Sequence, residues 1–192
     1  MFPLGAKDDE QRLAERLRSG DNAAMREFYA RYADLLTAVC ARYVANKEDV
    51  KDVFQDALVA IFSHVADFHY RGPGSLRAWA TKIAVNESLR FLQASHRLEL
   101  QQLRTDVRQP EPDVDDPPIS DVPPEVIHQM VSRLPVGYRT VFNLYVFEDH
   151  SHSDIAHLLG ISKSTSTSQL HRAKQLLARM ITDYLNHKQS SR

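Results

Sequence analysis

Residues Ser151 to Lys174 read SHSDIAHLLGISKSTSTSQLHRAK, and their spacing decides the fold of the C-terminal part of the chain. Ser151 followed three residues later by Asp154 has the form of a capping box that opens a short helix. Ile155, Ala156 and Leu159 share one face of that helix, and Gly160 supplies the left-handed residue that ends it. Ser162 is placed to cap a longer helix from Lys163, on which Leu170 and Ala173 continue the apolar face with Ile161 from the turn. A short helix, a glycine turn and a longer polar-faced helix are the layout of a helix-turn-helix. Lys163, Ser164, Thr165, Thr167, Ser168, His171, Arg172 and Lys174 fall on the outside. No acidic residue lies between Ile161 and Met180, whereas Lys163, Arg172, Lys174 and Arg179 are basic. Short donors near a helix start suit base edges and phosphates, and cations farther along suit the backbone of duplex DNA. An amphipathic packing helix with a solvated face shares part of this pattern.

Working outward, the C-terminal module reads as four helices: Pro124 to Arg133, Val136 to Phe147, Ser153 to Leu159, and Lys163 to about Asn186. Before it, Asp106 to Pro124 contains six prolines, five aspartates and one glutamate. Such a stretch offers little to pack and predicts an extended, flexible linker. Upstream of the linker, helical periodicity dominates. One helix covers Asp8 to Arg18 and stops at Gly20. A second, capped by Asp21 or Asn22, turns Met25, Phe28, Tyr29, Tyr32, Leu35, Leu36, Val39 and Tyr43 inward. A third opens at the Asn46/Asp49 pair, with Val50, Val53, Phe54, Ala57, Leu58, Ile61, Phe62 and Val65 inward. The break at Arg71-Gly72-Pro73-Gly74 precedes a fourth, for which Ser75 is the expected cap, with Leu76, Trp79, Ile83, Ala84, Leu89 and Leu92 inward.

The 192 residues are 43 % hydrophobic and 26 % charged, the mix of a soluble chain with a real core. No run approaches the roughly 18 apolar residues of a membrane span, and Met1 to Asp9 lack the layout of a signal peptide. A cytoplasmic location is expected. The lone Cys40 sits in an apolar-periodic run and reads as a small core residue. The net charge of −1 hides a pattern. Residues 48–67 hold Glu48, Asp49, Asp52, Asp56 and Asp67 against Lys51 alone, and residues 71–97 hold Arg71, Arg77, Lys82, Arg90 and Arg97 against Glu87 alone. An acidic helix followed by a basic one predicts two different partners, the second bearing phosphate. A solvated face would also be acidic, so the first half of that expectation has a bland alternative.

The stretch Leu134-Pro135, Tyr138-Arg139-Thr140-Val141-Phe142, Ser153-Asp154-Ile155-Ala156, Leu159-Gly160-Ile161-Ser162 and Ser168 to Lys174 resembles region 4 of the sigma-70 family. Independently, Glu48 to Leu58, Phe68, Arg71-Gly72 and Leu76 to Asn86 resemble region 2 of the same family. Two modules in this order, with only a short acidic linker between them, are similar to the extracytoplasmic-function (ECF) subgroup. The resemblance implies an all-α fold of two small helical domains: region 2 in residues 1–105, a flexible acidic linker in 106–123, and region 4 in 124–192.

The implied activity is that of an RNA polymerase sigma factor, which binds core polymerase and directs promoter-specific initiation without catalysis of its own. Asp49, Asp52, Gln55 and Asp56 would dock on the clamp helices of the largest polymerase subunit, and region 4 on the flap of the second-largest. Phe68, Tyr70, Arg71, Ser75, Arg77, Lys82, Asn86 and Arg90 would meet the −10 element as a melted strand, with a base pocket expected around residues 68–75. Trp79 has the phase of a core residue, with a stacking role as the alternative. The outward residues of the recognition helix would meet the −35 element. Ser164 stands where the family often has glycine and Thr167 where it often has a basic residue, which makes that contact less cationic. The linker's charge suits either a positively lined polymerase channel or a plain tether, and its flexibility would admit an anti-sigma factor between the modules.

Other readings use the same residues. A stand-alone helix-turn-helix regulator would use the N-terminal helices for dimerisation or sensing, and an interaction module would bind only a partner protein. Neither needs an acidic helix followed by a basic one. His150, His152 and His157 straddle a helix start without a cysteine or second carboxylate cluster at ligand spacing, so no metal is expected. No glycine-rich phosphate loop, Ser-His-Asp order or paired-carboxylate motif is present, and no cofactor is implied.

Overall fold

The structure, a computed structural model, describes residues 8–95, 117 and 119–190. Among them are eight α-helices, one 3-10 turn and no strand. The chain divides into two compact units, Met1–Phe91 and Leu92–Arg192. No helix among the described residues is long and apolar enough to cross a membrane.

Unit 1 starts with α1 (Asp9–Arg18), whose cap Asp8 accepts the Gln11 N–H at 2.8 Å. Asp21 caps α2 (Asn22–Tyr43) by accepting from Ala23 N–H. Asn46 caps α3 (Lys47–His64) through the Glu48 N–H. A 3-10 turn (Val65–Asp67) and an irregular loop lead into α4 (Ser75–Ser95). The inward residues recur at helical spacing: Phe28, Tyr32, Leu36, Val39 and Tyr43 on α2; Val50, Val53, Phe54, Ala57 and Ile61 on α3; Leu76, Ala80, Ala84 and Leu89 on α4. Phe28 lies at their centre, 4.9 Å from the Tyr32 ring and 5.7 Å from the Phe62 ring. Cys40 is fully buried and its thiol is pushed up to about 11 by that burial, which leaves it a packing residue rather than a nucleophile.

Two expectations change here. Tyr29 is 51 % exposed rather than inward, because the helical turn that buries Phe28 carries its neighbour to the rim, against the ring of Phe54. Nor does Ser75 cap α4. Its hydroxyl accepts the Arg71 N–H at 3.2 Å, and the carboxylate of Glu10 takes the amides of Gly74 and, at 3.0 Å, Arg77.

Unit 2 holds α5 (Pro124–Ser132), α6 (Val136–Val146), α7 (His152–Leu159) and α8 (Lys163–Ser190). Both halves of the Ser151/Asp154 capping box form, at 3.2 and 3.1 Å. Gly160 has φ +64°, the left-handed conformation that lets the chain turn into the Ser162 cap, whose oxygen accepts the Thr165 N–H at 2.9 Å. Val122, Met130, Val131, Leu134, Ala173, Leu177 and Ile181 form one core cluster, with Val141, Leu144, Ile155 and Leu170 also buried. Residues 106–116 and 118 of the expected linker lie outside the described residues. Its last stretch does pack: Val122 is buried and the Asp121 carbonyl accepts from Lys188 Nζ at 3.1 Å, since an apolar side chain beside α8 is better covered than left in water.

Candidate nucleic-acid interface

On α3, apolar residues at 50, 53, 54, 57 and 61 claim the inner face, so the acidic residues between them must point away. Asp52, Gln55 and Asp56 are exposed and Asp49 is half-buried. Lys51 pairs with Glu48 at 2.9 Å, an exposed i,i+3 contact that leaves the Asp52–Asp56 stretch acidic.

The basic side of unit 1 is assembled from the loop and α4. Lys82, Asn86 and Arg90 follow one another at i,i+4 spacing and are exposed, so they line one outward stripe. Arg90 is 3.0 Å from Glu87, which offsets part of its charge. Arg71 and Arg77 are also exposed, but Arg77 stands five residues before Lys82 and so lies well round the helix from the stripe. Phe68 is not offered to a strand here: it is 5 % exposed, with its ring 5.0 Å from that of Trp79. An aromatic in a loop beside a half-buried indole gains more by packing against it, here with the rings tilted by 44°, than by facing water. Tyr70 gives its hydroxyl to Asp8. Its phenol is pushed up to about 12 by burial and by that carboxylate, and Asp8 is held below the usual carboxylate range, first by Tyr70 and then by the Gln11 N–H. Ser75 is half-buried and engaged with the Arg71 amide.

Two hollows flank the loop. One, of about 370 Å³, opens between the end of α3 and α4 and is lined by His64, Asp67, Trp79 and Asn86 among others. The other, of about 550 Å³, is bordered by Glu10, Arg31, Pro73, Gly74 and Arg77. Of the segment 68–75, Pro73 and Gly74 line the larger of these hollows, and Asn86 lines the smaller. His64 and Asp67 were not expected at the site. His64 lies four residues and Asp67 one residue before Phe68, the first residue expected at the −10 element, and the fold brings both to the hollow that Asn86 also lines.

On α8, Lys163, Ser164, Thr167 and Lys174 are exposed, and Ser168, His171 and Arg172 are half-buried. Lys163, Thr167, His171 and Lys174 fall on one stripe and Ser164, Ser168 and Arg172 on the next, so seven of the eight expected residues form a single face. Thr165 is the exception. It is buried, with its N–H and hydroxyl both bonded to Ser162, because the helix position that completes the cap turns toward α7. The Thr167 hydroxyl donates to Lys163 O and that of Ser168 to Thr165 O, so both are engaged along the helix itself. Ser166 and Gln169, outside the expected packing set, are fully buried.

Ser166 meets His152 Nδ1 at 2.9 Å, while the His152 ring stacks on Tyr145 at 4.8 Å. Burial holds His152 below its ordinary value, with Lys163 and Lys174 adding to the effect. As pH falls, the unfolded chain therefore takes up this proton first, and stability is lost through the window below about 6.5. We expect the urea midpoint of unit 2 to fall between pH 7 and 5, with a flatter response in His152→Gln. Asp154 does not share this window: Ser151 holds it below the carboxylate range, so its contribution is lost at more acid pH. Identical pH responses in the variant and the native chain would contradict the assignment. No group of three or more His, Cys, Asp or Glu able to hold a metal occurs among the described residues, the three neighbouring histidines included.

Comparison with known proteins matches residues 28–98 to the family described as Sigma-70 region 2, and residues 125–177 to Sigma-70, region 4. The two matches together span well over half of the chain. RNA polymerase sigma-H factor of Pseudomonas aeruginosa is 24 % identical over 93 % of this chain and 97 % of its own length. The ECF RNA polymerase sigma-E factor of Haemophilus influenzae is 27 % identical over 90 % of this chain and 95 % of its own. A solved structure of CnrH in complex with the cytosolic domain of CnrY is 25 % identical, covers 92 % of this chain and 99 % of that one, and has a TM-score of 0.49. With both regions matched in order and full-length relatives of this kind, the chain belongs to the sigma-70 family of RNA polymerase sigma factors, in its extracytoplasmic-function group.

Proposed function

We propose that this chain is a promoter-specificity subunit of RNA polymerase, with residues 1–105 for core docking and −10 recognition, 106–123 as the linker, and 124–192 for −35 recognition. The observation that carries the reading is the change of sign between two neighbouring helices: exposed Asp52 and Asp56 on α3, exposed Lys82 and Arg90 around Asn86 on α4. A cationic protein surface suits the first and a phosphate strand the second. Asp49, Asp52, Gln55 and Asp56 are assigned to the clamp helices of the largest subunit, and unit 2 also to the flap of the second-largest.

Arg71, Arg77, Lys82 and Arg90 supply phosphate attraction, and Asn86, at the smaller hollow, supplies base contact. Lys163, Ser164, Thr167, Ser168, His171, Arg172 and Lys174 face the −35 element. The chain acts by binding, as sigma factors do, and works in the cytoplasm where polymerase is. An anti-sigma factor is the further partner that the family implies, lodged between the modules.

Run-off transcription with core polymerase tests the reading: the mixture is expected to start at a defined promoter, and the chain alone to bind duplex DNA poorly. A stand-alone regulator would show the reverse, with tight sequence-specific duplex binding and no association with core. Within the same assay, Lys174→Ala or Arg172→Ala is expected to weaken promoter binding and to lower the slope of log K against log salt by about one. An unchanged slope in both would place the DNA on another face of α8.

A further inference from the structure

Helix α1 precedes the residues that match region 2, which begin at 28, so that match assigns it no task. Its first turn nevertheless reaches the DNA-facing loop, 62 to 67 residues farther along the chain. Glu10 is only 6 % exposed, and its carboxylate takes two amides at once: Gly74 N–H through Oε2 and Arg77 N–H through Oε1 at 3.0 Å. Asp8, two residues earlier, holds the Tyr70 hydroxyl. Two carboxylates from one helical turn thus grip both ends of the segment 70–77. Gly74 sits at φ +85°, a conformation that a side chain would strain, so the loop has a specific form to be held in.

Packing alone does not call for an acid at position 10. Leu13, Ala14 and Leu17 are at most 2 % exposed and already fix α1 to the core. A buried carboxylate is costly to desolvate, and an apolar residue of similar size often serves stability as well or better. What an apolar residue cannot do is accept two backbone N–H groups and so set the first turn of α4, with the place of Arg77 on it.

We propose that Glu10 is a positioning residue for strand capture, fixing Arg77 and the 70–77 loop in the form that receives the melted −10 strand. The inference rests on the assignment of this loop and α4 to −10 recognition. It requires no contact between Glu10 and DNA, so its signature is a defect in promoter opening that leaves earlier steps intact.

The test uses holoenzyme assembled with Glu10→Met or Glu10→Gln on the promoter mapped by run-off transcription. Core affinity, closed-complex affinity and the rate of opening, read by 2-aminopurine in the −10 element, are measured separately. Glu10→Met is expected to slow opening about tenfold and Glu10→Gln, which keeps one acceptor, about threefold, the scale of losing buried helix-cap bonds. Core and closed-complex affinities should stay within about twofold, as expected for an intact fold. If Met at this position perturbs folding, the Gln variant carries the test alone. Opening at the native rate in the Gln variant, or a parallel fall of core affinity and opening, would overturn the proposal. Failure of the native holoenzyme to open any promoter would instead bring down the −10 assignment, and the inference with it, before any substitution is made.

Discussion

Reversing two charges on α3, Asp52→Arg with Asp56→Arg, is expected to weaken binding to core polymerase about a hundredfold, or some 2.7 kcal/mol. Both residues are exposed and one helical turn apart in the middle of the helix, away from either end, so neither supports a cap or the core. Surface changes of this kind move stability by about 0.5 kcal/mol or less. Close charge pairs across interfaces couple by about 1.5–7 kcal/mol, and a reversal replaces attraction with repulsion. Folding and binding are therefore separable here. Competition against labelled native chain for core polymerase reads the affinity, and unfolding by urea reads the fold. Should the double variant compete within about threefold of the native chain, the acidic face would be a solvated surface and nothing more.

Ile155→Ala is expected to cost unit 2 about 2–5 kcal/mol, the range for emptying a buried aliphatic site. Ile155 is fully buried on α7, the helix that sets the position of α8. Unit 2 is small, and a loss of this size is a large part of a typical domain's stability. The single tryptophan, Trp79, lies in unit 1 and gives an internal reference. Helical circular dichroism should develop an early unfolding step in urea while the Trp79 fluorescence transition holds its midpoint. Promoter binding through α8 should fall at temperatures where unit 2 melts, with core docking through α3 retained. An unshifted circular dichroism curve would mean that α7 does not pack as described.

Local chemistry made much of the fold legible. Asp21, Asn46 and Ser162 act as caps, Ser151 and Asp154 form their box, and Gly160 takes the left-handed turn, because each depends on residues within a few positions. The helical identity of α2 and α3 was equally plain from apolar spacing. Contacts between distant segments were not legible. Ser75 has every local mark of a cap, yet Glu10 does that work from 64 residues away. Phe68 in a polar loop looks available until Trp79 covers it. Thr165 looks like one more outward hydroxyl until the Ser162 cap draws it in.

The candidate site divides along the same line. Its charges could be read from sequence, since like-signed residues at helical spacing must share a face. Its hollows could not, because only the fold brings His64 and Asp67 to the hollow that Asn86 also lines. The loop's shape belongs to this second class, and so does the dependence on α1 inferred above.

The most direct test places a photo-crosslinking amino acid at position 56 in one sample and at position 86 in another, each in holoenzyme on promoter DNA. Position 56 is predicted to capture the largest polymerase subunit and no DNA, and position 86 the non-template strand of the −10 element. DNA captured at position 56, or only protein at position 86, would contradict the division of unit 1 into a polymerase face and a strand-reading face.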